Sequence, residues 1–411
     1  MPEPLPADPE TEPKYEPLPR TRRRGIGLCL SGGGYRATLF HLGALRRLHE
    51  LGVLARPDFR TVSSVSGGSI AAAQLATALA RQDASMDRAA WIREVEAPLR
   101  AFTRRDIRTR AFLKRLLPWN WADSTTGVEE LARRYEELTA LRLAALPSVP
   151  SFVFCATDMA YGVGWVFTRE AMGSYQAGYQ PPPAGFPLAR AVAASACFPP
   201  VFDPMKMRLD PGALTGGRAP RGPERDACIR GLRLTDGGDY DNMGLEPVWK
   251  SHAVVLVSDA GGIFTHEGDK GLLWRIPRYQ GIQEAQARAL RKRWLIASFA
   301  TGVLEGAYWG VGSAPSRYGD YEGYGKELAR ETVAEIRTDL DAFSDAEAGV
   351  LMNHGYTLLE AALRAHLPSL LPAPVPPARV PHPEWYPPAR TEAELREALV
   401  DSGRRALLGR G

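Results

Sequence analysis

The sequence predicts an α/β fold built on a mostly parallel sheet, with its chemistry gathered along one edge of strand ends. Three observations carry this reading. Apolar runs of strand length, such as 26–30 and 253–257, break off at clusters of small and polar residues, and stretches of helical period separate them. The residues at those break points, Ser31, Ser66, Asp236 and Asp259, are of the kinds that do chemistry.

Residues 1–24 are rich in proline and carboxylates and are expected to form a disordered tail, since little in them can be buried. The fold begins with the buried strand 26–30, which stops at Ser31-Gly32-Gly33-Gly34. From Tyr35 or Arg36 the period turns helical: Leu39, Leu42, Leu45, Leu48 and Leu51 share one face, and Gly52 is placed as a C-terminal cap. A triple glycine at such a junction lets backbone N–H groups converge on one point, which makes an anion-binding nest.

Phosphate chemistry does not fit this nest. A P-loop needs Gly-Lys-Ser/Thr at the helix start, where this chain has Tyr35-Arg36-Ala37, and a dinucleotide site needs G-x-G-x-x-G, which the loop does not supply. An oxyanion hole remains: two N–H donors facing the charge of an acyl-transfer transition state, each worth roughly 3–4 kcal/mol. Arg36 either steadies this loop or attracts an anionic head group.

The stretch 60–75, RTVSSVSGGSIAAAQL, passes from a β-type run to an alanine-rich helix at Ser66. In a strand-to-helix elbow the nucleophile is thrust out of the sheet, following amides point at the same space, and small neighbours are required. Gly67 and Gly68 meet that need. The usual pattern is G-x-S-x-G, and here Ser64 replaces the first glycine. The competing reading is an ordinary helix N-cap serine.

Residues 85–135 form a helical insertion with Trp91, Phe102, Phe112, Trp119 and Trp121. Its arginines, from Arg100 to Arg115, either face lipid or coat a solvated helix, and the segment is a candidate lid. Next come a helix at 125–138, a strand at 150–156 and a short strand at 164–168. The small-residue helix 187–197 carries Ser195, a rival nucleophile without an elbow. The strand 230–234 leads into Asp236-Gly237-Gly238, where a strand-end carboxylate can reach a neighbouring catalytic residue; Asp239, Asp241 and Asn242 form a polar cluster behind it, read otherwise as an Asx-rich turn. Asp259, after the strand 253–257, is the rival carboxylate. Beyond it lie a basic amphipathic run at 280–304, a capping box at Ser344 that opens a helix to about residue 365, a strap with nine prolines between Pro368 and Pro388, and a last short helix opened by Thr391.

Composition sets outer bounds. The 411 residues carry 51 Lys+Arg against 47 Asp+Glu, a formal +4, too small a surplus to argue for nucleic acid. Cys29, Cys155, Cys197 and Cys228 are far apart and offer neither a disulfide framework nor a C-x-x-C metal pair. With no apolar signal region and no uninterrupted apolar run of membrane-spanning length, the expected location is cytoplasmic, with peripheral contact at a membrane left open.

A serine hydroxyl is a poor nucleophile until a base removes its proton. None of the seven histidines follows a strand end in a suitable turn, although His266 lies near the 253–257 strand. A Ser66–Asp236 dyad is the simpler assignment. Because an aspartate has a pKa near 4 in water, the site must raise its proton affinity by burial.

Glycine loop, elbow and Asp236-Gly237-Gly238, in that order on strand ends, resemble the patatin-like phospholipases over roughly 26–259. Ser64 for the elbow's first glycine and Ala37 for the glycine often found after the arginine depart from the pattern, and neither removes a catalytic group. The resemblance implies a three-layer α/β/α sandwich and hydrolysis of lipid acyl esters. In it Ser66 is acylated, Asp236 is the base, the Gly32, Gly33 and Gly34 amides hold the oxyanion, and Arg36 and Gly67 contact substrate, without metal or cofactor. The expected organisation is a tail (1–24), a catalytic domain (25–366), a proline-rich strap (367–390) and a C-terminal helix (391–411). An acyltransferase would use the same constellation, and a lipid- or nucleotide-binding regulator could keep the glycine nest without catalysis. Oligomeric state is not legible in the sequence.

Overall fold

A computed structural model of the chain describes residues 23–82, 85–109, 111, 113, 126–199, 201–262, 264 and 268–404. The tail up to residue 22 lies outside them, as do Phe112, Trp119, Trp121 and His266.

One sheet runs through the described residues. Its strands are β1 (Ile26–Leu30), β2 (Phe59–Val65), β3 (Ser151–Asp158), β4 (Val163–Phe167), β5 (Met172–Ser174), β6 (Gly178–Gln180), β7 (Met205–Lys206), β8 (Arg233–Asp236), β9 (Val254–Asp259) and β10 (Glu305–Gly310). Along the sheet the order is β10-β9-β1-β2-β3-β4-β5-β6, with β8 paired to β3 and β7 to β8. The five strands β10, β9, β1, β2 and β3 are mutually parallel, as expected for strands linked through helices. Everything attached beyond β3 is antiparallel.

The helices used below are α1 (Gly34–Glu50), α2 (Gly67–Arg81), α3 (Ala97–Thr103), α4 (Thr126–Glu136), α5 (Leu188–Ala196), α6 (Leu272–Ala300), α7 (Asp345–His366) and α8 (Glu392–Ala398), beside shorter ones such as Pro223–Arg230. Alternation along β1 assigns its two faces. Ile26, Leu28 and Leu30 enter the main core, which also takes in Leu39 and Leu42 of α1, Ile70 of α2 and Leu351 of α7. Cys29 points the other way, into a smaller core with Val255, Val257, Val248 and Leu295. Helices on one face and the 243–249 turns with the end of α6 on the other make three layers.

Helix α1 is buried nearly all round, so its charged residues need partners. Arg46 pairs with Glu96 at 2.9 Å, and Arg47 pairs with Glu360 at 2.7 Å. Arg47 also donates to the Pro376 carbonyl (2.7 Å), which ties the proline-rich strap to this helix. The segment before α3 sends Trp91 and Val95 into the main core, and α3 adds Leu99 and Phe102, so this part of the insertion is a packed wall. Arg104 and Arg105 point outward, Arg104 paired with Asp345 and Arg105 with Glu137 at 2.7 Å, whereas Arg108 turns inward, pairs with Asp339 at 2.5 Å and lines the pocket described below.

Strand β8 closes a gap in the sheet. Strand β2 occupies one edge of β3 up to the pair Val65↔Cys155, while β4 fills the opposite edge from Phe154 to Asp158. From Ala156↔Asp236 to Asp158↔Leu234, β8 takes over the edge that β2 has left, running the opposite way. The two strands therefore meet end to end. Val65 and Asp236, their last residues, are one register step apart on β3.

Candidate active site

Ser66 follows β2 directly and adopts φ 50°, ψ −118°, the one non-glycine positive φ among the described residues. Such a backbone costs on the order of 1–3 kcal/mol and persists only where its surroundings hold it. They do so here. The Ser66 N–H donates to the Ser195 carbonyl (3.1 Å) and to the Ser195 hydroxyl (3.0 Å), and the Ser66 carbonyl accepts from the amides of Ser69 and Ile70 to start α2. The side chain makes no capping bond to that helix, so the N-cap reading of Ser66 does not hold. Ser66 is partly exposed between buried neighbours on both sides.

The departure at Ser64 has a physical account. Its hydroxyl donates to the Val153 carbonyl (3.3 Å) and accepts from Ser69, whose hydroxyl lies 2.8 Å from that of Ser195. Three serines thus form a buried polar lattice under the elbow, and a glycine would leave it incomplete. Ser195 is fully buried and belongs to this lattice; as a rival nucleophile it has no access to substrate.

The glycine loop turns beside the elbow. A Cβ on Gly67 would sit 2.0 Å from the Gly34 carbonyl oxygen, and one on Gly34, which has φ 56°, would sit 2.5 Å from that of Asp339. Only glycine permits this approach. The role expected for Gly67 as a substrate contact changes accordingly: its lack of a side chain lets the loop and the elbow touch.

Two further expectations are corrected. The Gly32 N–H donates to the Asn242 carbonyl (3.0 Å), so it is spent within the protein and cannot serve an oxyanion. Among the described residues, no backbone carbonyl accepts from the amides of Gly33 and Gly34. Arg36 is buried and does not line the pocket: its guanidinium donates to the carbonyls of Ala260 (2.8 Å), Ala334 (2.7 Å) and Ile336 (2.8 Å). It holds the loop to the segments around 260 and 335, with its guanidinium turned to backbone carbonyls and away from the pocket.

Asp236 ends β8 within this arrangement. Its Oδ1 accepts from the Gly238 amide (2.7 Å), and its Oδ2 is buried without a hydrogen-bond partner of standard geometry in the protein. Burial pushes the carboxyl up to about 7, against the opposing pull of the Gly238 amide and the Ser66 hydroxyl. The Ser195 carbonyl accepts from the Gly237 amide (3.2 Å) as well as from Ser66, so one oxygen fixes both turns.

Asp259 is occupied elsewhere. Lys292 (3.0 Å), the Tyr308 hydroxyl (2.7 Å) and the Gly261 amide (3.0 Å) bind it. Burial raises its proton affinity, but those partners more than reverse the effect and hold it far below the usual carboxylate range. The buried histidines also have other partners. His41 meets Ser258 and the Ser31 carbonyl, His252 meets Thr61, and His354 meets the Val311 carbonyl.

Ser66, Asp236 and the three glycines open on a pocket of about 250 Å³ walled on its apolar side by Ala196, Phe198, Val201, Phe202 and Leu340. A larger concavity of about 500 Å³ lies at the far end of α1, against the strap, away from these groups. Sequence reasoning missed the supporting roles of Asn242 and Ser195 in the site. Asn242 was visible only as one member of a polar turn, and nothing local marks a carbonyl that must meet a glycine amide some two hundred positions away.

A serine in a strained elbow beside a buried carboxylate whose proton affinity lies near neutrality is an arrangement compatible with acyl-transfer chemistry. The chain belongs to the patatin-like phospholipase family, whose family model matches residues 28–249. No curated protein matches the chain. Among solved structures, human GIVD cytosolic phospholipase A2 resembles it with a TM-score of 0.48 at 12% identity, over 84% of this chain and 60% of that one. The same enzyme in complex with methyl gamma-linolenyl fluorophosphonate gives 0.45 at 14% identity, over 84% and 59%. VipD from Legionella pneumophila gives 0.36 at 15% identity, over 84% and 67%. The chain thus spans about three-fifths of the length of the human enzyme.

Proposed function

We propose that the chain is a serine acyl hydrolase that cleaves acyl esters of phospholipids or lysophospholipids through a Ser66–Asp236 dyad. The observation that carries this reading is the buried Asp236 Oδ2, which has no hydrogen bond of standard geometry among the described residues and feels the Ser66 hydroxyl, at the end-to-end junction of β2 and β8 where Ser66 stands in its elbow. Family membership supplies the lipid substrate class.

In the proposed reaction Asp236 Oδ2 accepts the proton of Ser66 Oγ as that oxygen attacks the ester carbonyl carbon. The negative charge that moves to the carbonyl oxygen meets the Gly33 and Gly34 amides. Collapse of the tetrahedral species expels the alcohol, which takes the proton from Asp236 and leaves an acyl ester on Ser66. Water then gives a proton to Asp236 as its oxygen adds to the acyl carbon, and Ser66 Oγ departs and takes that proton back from Asp236, releasing the fatty acid and restoring both serine and carboxylate. The apolar wall from Ala196 to Phe202 receives the acyl chain.

Release of free fatty acid from phospholipid and lysophospholipid vesicles tests the proposal, with glycerol added as a competing acceptor. Fatty acid should be the main product. Exclusive formation of acylglycerol would replace hydrolysis by transfer.

Ser195 acts here as a positioning residue. Ser195→Ala removes one of two acceptors for the Ser66 amide and breaks the serine lattice, so kcat should fall roughly tenfold with KM nearly unchanged. A rise in KM with unchanged kcat would contradict that role.

A further inference from the structure

We propose that the outward face of α6 is a docking surface for an anionic lipid bilayer, which brings the pocket to membrane-held substrate. The inference rests on the lipid-ester reading of the site.

Helix α6 is poorly integrated into the protein. Among its residues with described side chains, none is buried before Leu295, so most of its length finds no core to join. A helix owes most of its stability to such packing, and an unpacked one in water is marginal. Seven of the sixteen exposed large hydrophobic residues of the described chain sit on it. Leu272 (72% exposed), Ile276 (63%), Tyr279 (62%) and Leu290 (60%) fall on one side at helical spacing, with Gln283 and Gln286 between them. Apolar surface gathered in this way marks an interaction site.

The opposite side of α6 faces the active site. Glu284 and Arg288 line the pocket, Arg288 donates to the Gly262 carbonyl (2.9 Å), Arg291 lies 3.6 Å from Asp241, and Lys292 pairs with Asp259. These bonds fix which side looks outward: α6 lines the pocket with one side and carries the apolar stripe on the other.

Charge selects the occupant. The helix carries six arginine or lysine residues against one carboxylate; outside the inner cluster Arg275 pairs with Asp269 at 2.5 Å, Arg278 lies over the Phe264 ring and Arg293 is exposed. Apolar side chains interleaved with cations fit the boundary of an anionic bilayer. A two-fold contact with a second copy would instead set these cations against their own counterparts.

The test uses Ser66→Ala protein, which leaves the lipid intact, in co-sedimentation with phosphatidylcholine vesicles with and without phosphatidylglycerol. Binding should require phosphatidylglycerol and weaken with salt. Adding Leu272→Ser, Ile276→Ser and Tyr279→Ser together should weaken binding at least roughly tenfold. In the Ser66 background the same three changes should leave hydrolysis of a water-dissolved short-chain ester unchanged, which shows that the fold is intact. Equal vesicle binding with and without the three changes would overturn the proposal. So would binding indifferent to phosphatidylglycerol, or a dimer that those changes dissociate while vesicles bind neither form. Vesicle binding by a protein inactive on every ester would keep the surface and remove the dyad.

Discussion

Ser66→Ala is expected to lower ester hydrolysis by on the order of 10^4- to 10^6-fold, the scale seen when a serine hydrolase loses its nucleophile. No neighbouring hydroxyl can replace it, because Ser64, Ser69 and Ser195 are buried and bonded to one another or to backbone. The fold should survive. The hydroxyl caps nothing, and the strained backbone is held by the Ser66 N–H and C=O, which alanine retains. Steady-state hydrolysis beside a melting curve checks both statements.

Asp236→Asn is expected to cost on the order of 10^4-fold in kcat, since an amide cannot take the serine proton. In the parent, the rate should rise with pH and level off above about 7, as Asp236 ionises. Stability should move the other way. A carboxyl whose proton affinity is higher folded than unfolded favours the folded state only while protonated, so its cost to stability grows from about pH 4 to about pH 7. The asparagine variant should therefore melt higher than the parent at pH 8, by more than it does at pH 5. Loss of activity with a gain in stability would set Asp236 apart from a structural residue.

Asp259→Asn is the control. It breaks the pairing with Lys292 and Tyr308, and that depressed carboxyl stabilises the fold above its unfolded pKa, losing the benefit only as pH falls through its folded value. A lower melting temperature at neutral pH with most activity retained is the expected outcome.

Features set within a few residues were legible in the sequence. Helix α1 begins at Gly34, within two residues of the start read from the pattern, Gly52 takes a left-handed φ just past its end, and the Ser344 box caps α7. The elbow was legible for the same reason. The course of β8 was not: β-type runs show where strands lie but not their direction, and the meeting of Asp236 with Ser66 depends on β2 ending while β3 continues. Arg36 misled for a related reason. An arginine beside a glycine nest reads as an anion contact until carbonyls from Ala260, Ala334 and Ile336 are seen to close around it.

Labelling with a fluorophosphonate and mapping the tagged peptide tests the central claim most directly, because only an activated serine reacts. We expect a single adduct on Ser66, formed more slowly below about pH 7 and nearly abolished in Asp236→Asn. An adduct on Ser195, or undiminished labelling of Ser66 in Asp236→Asn, would contradict it.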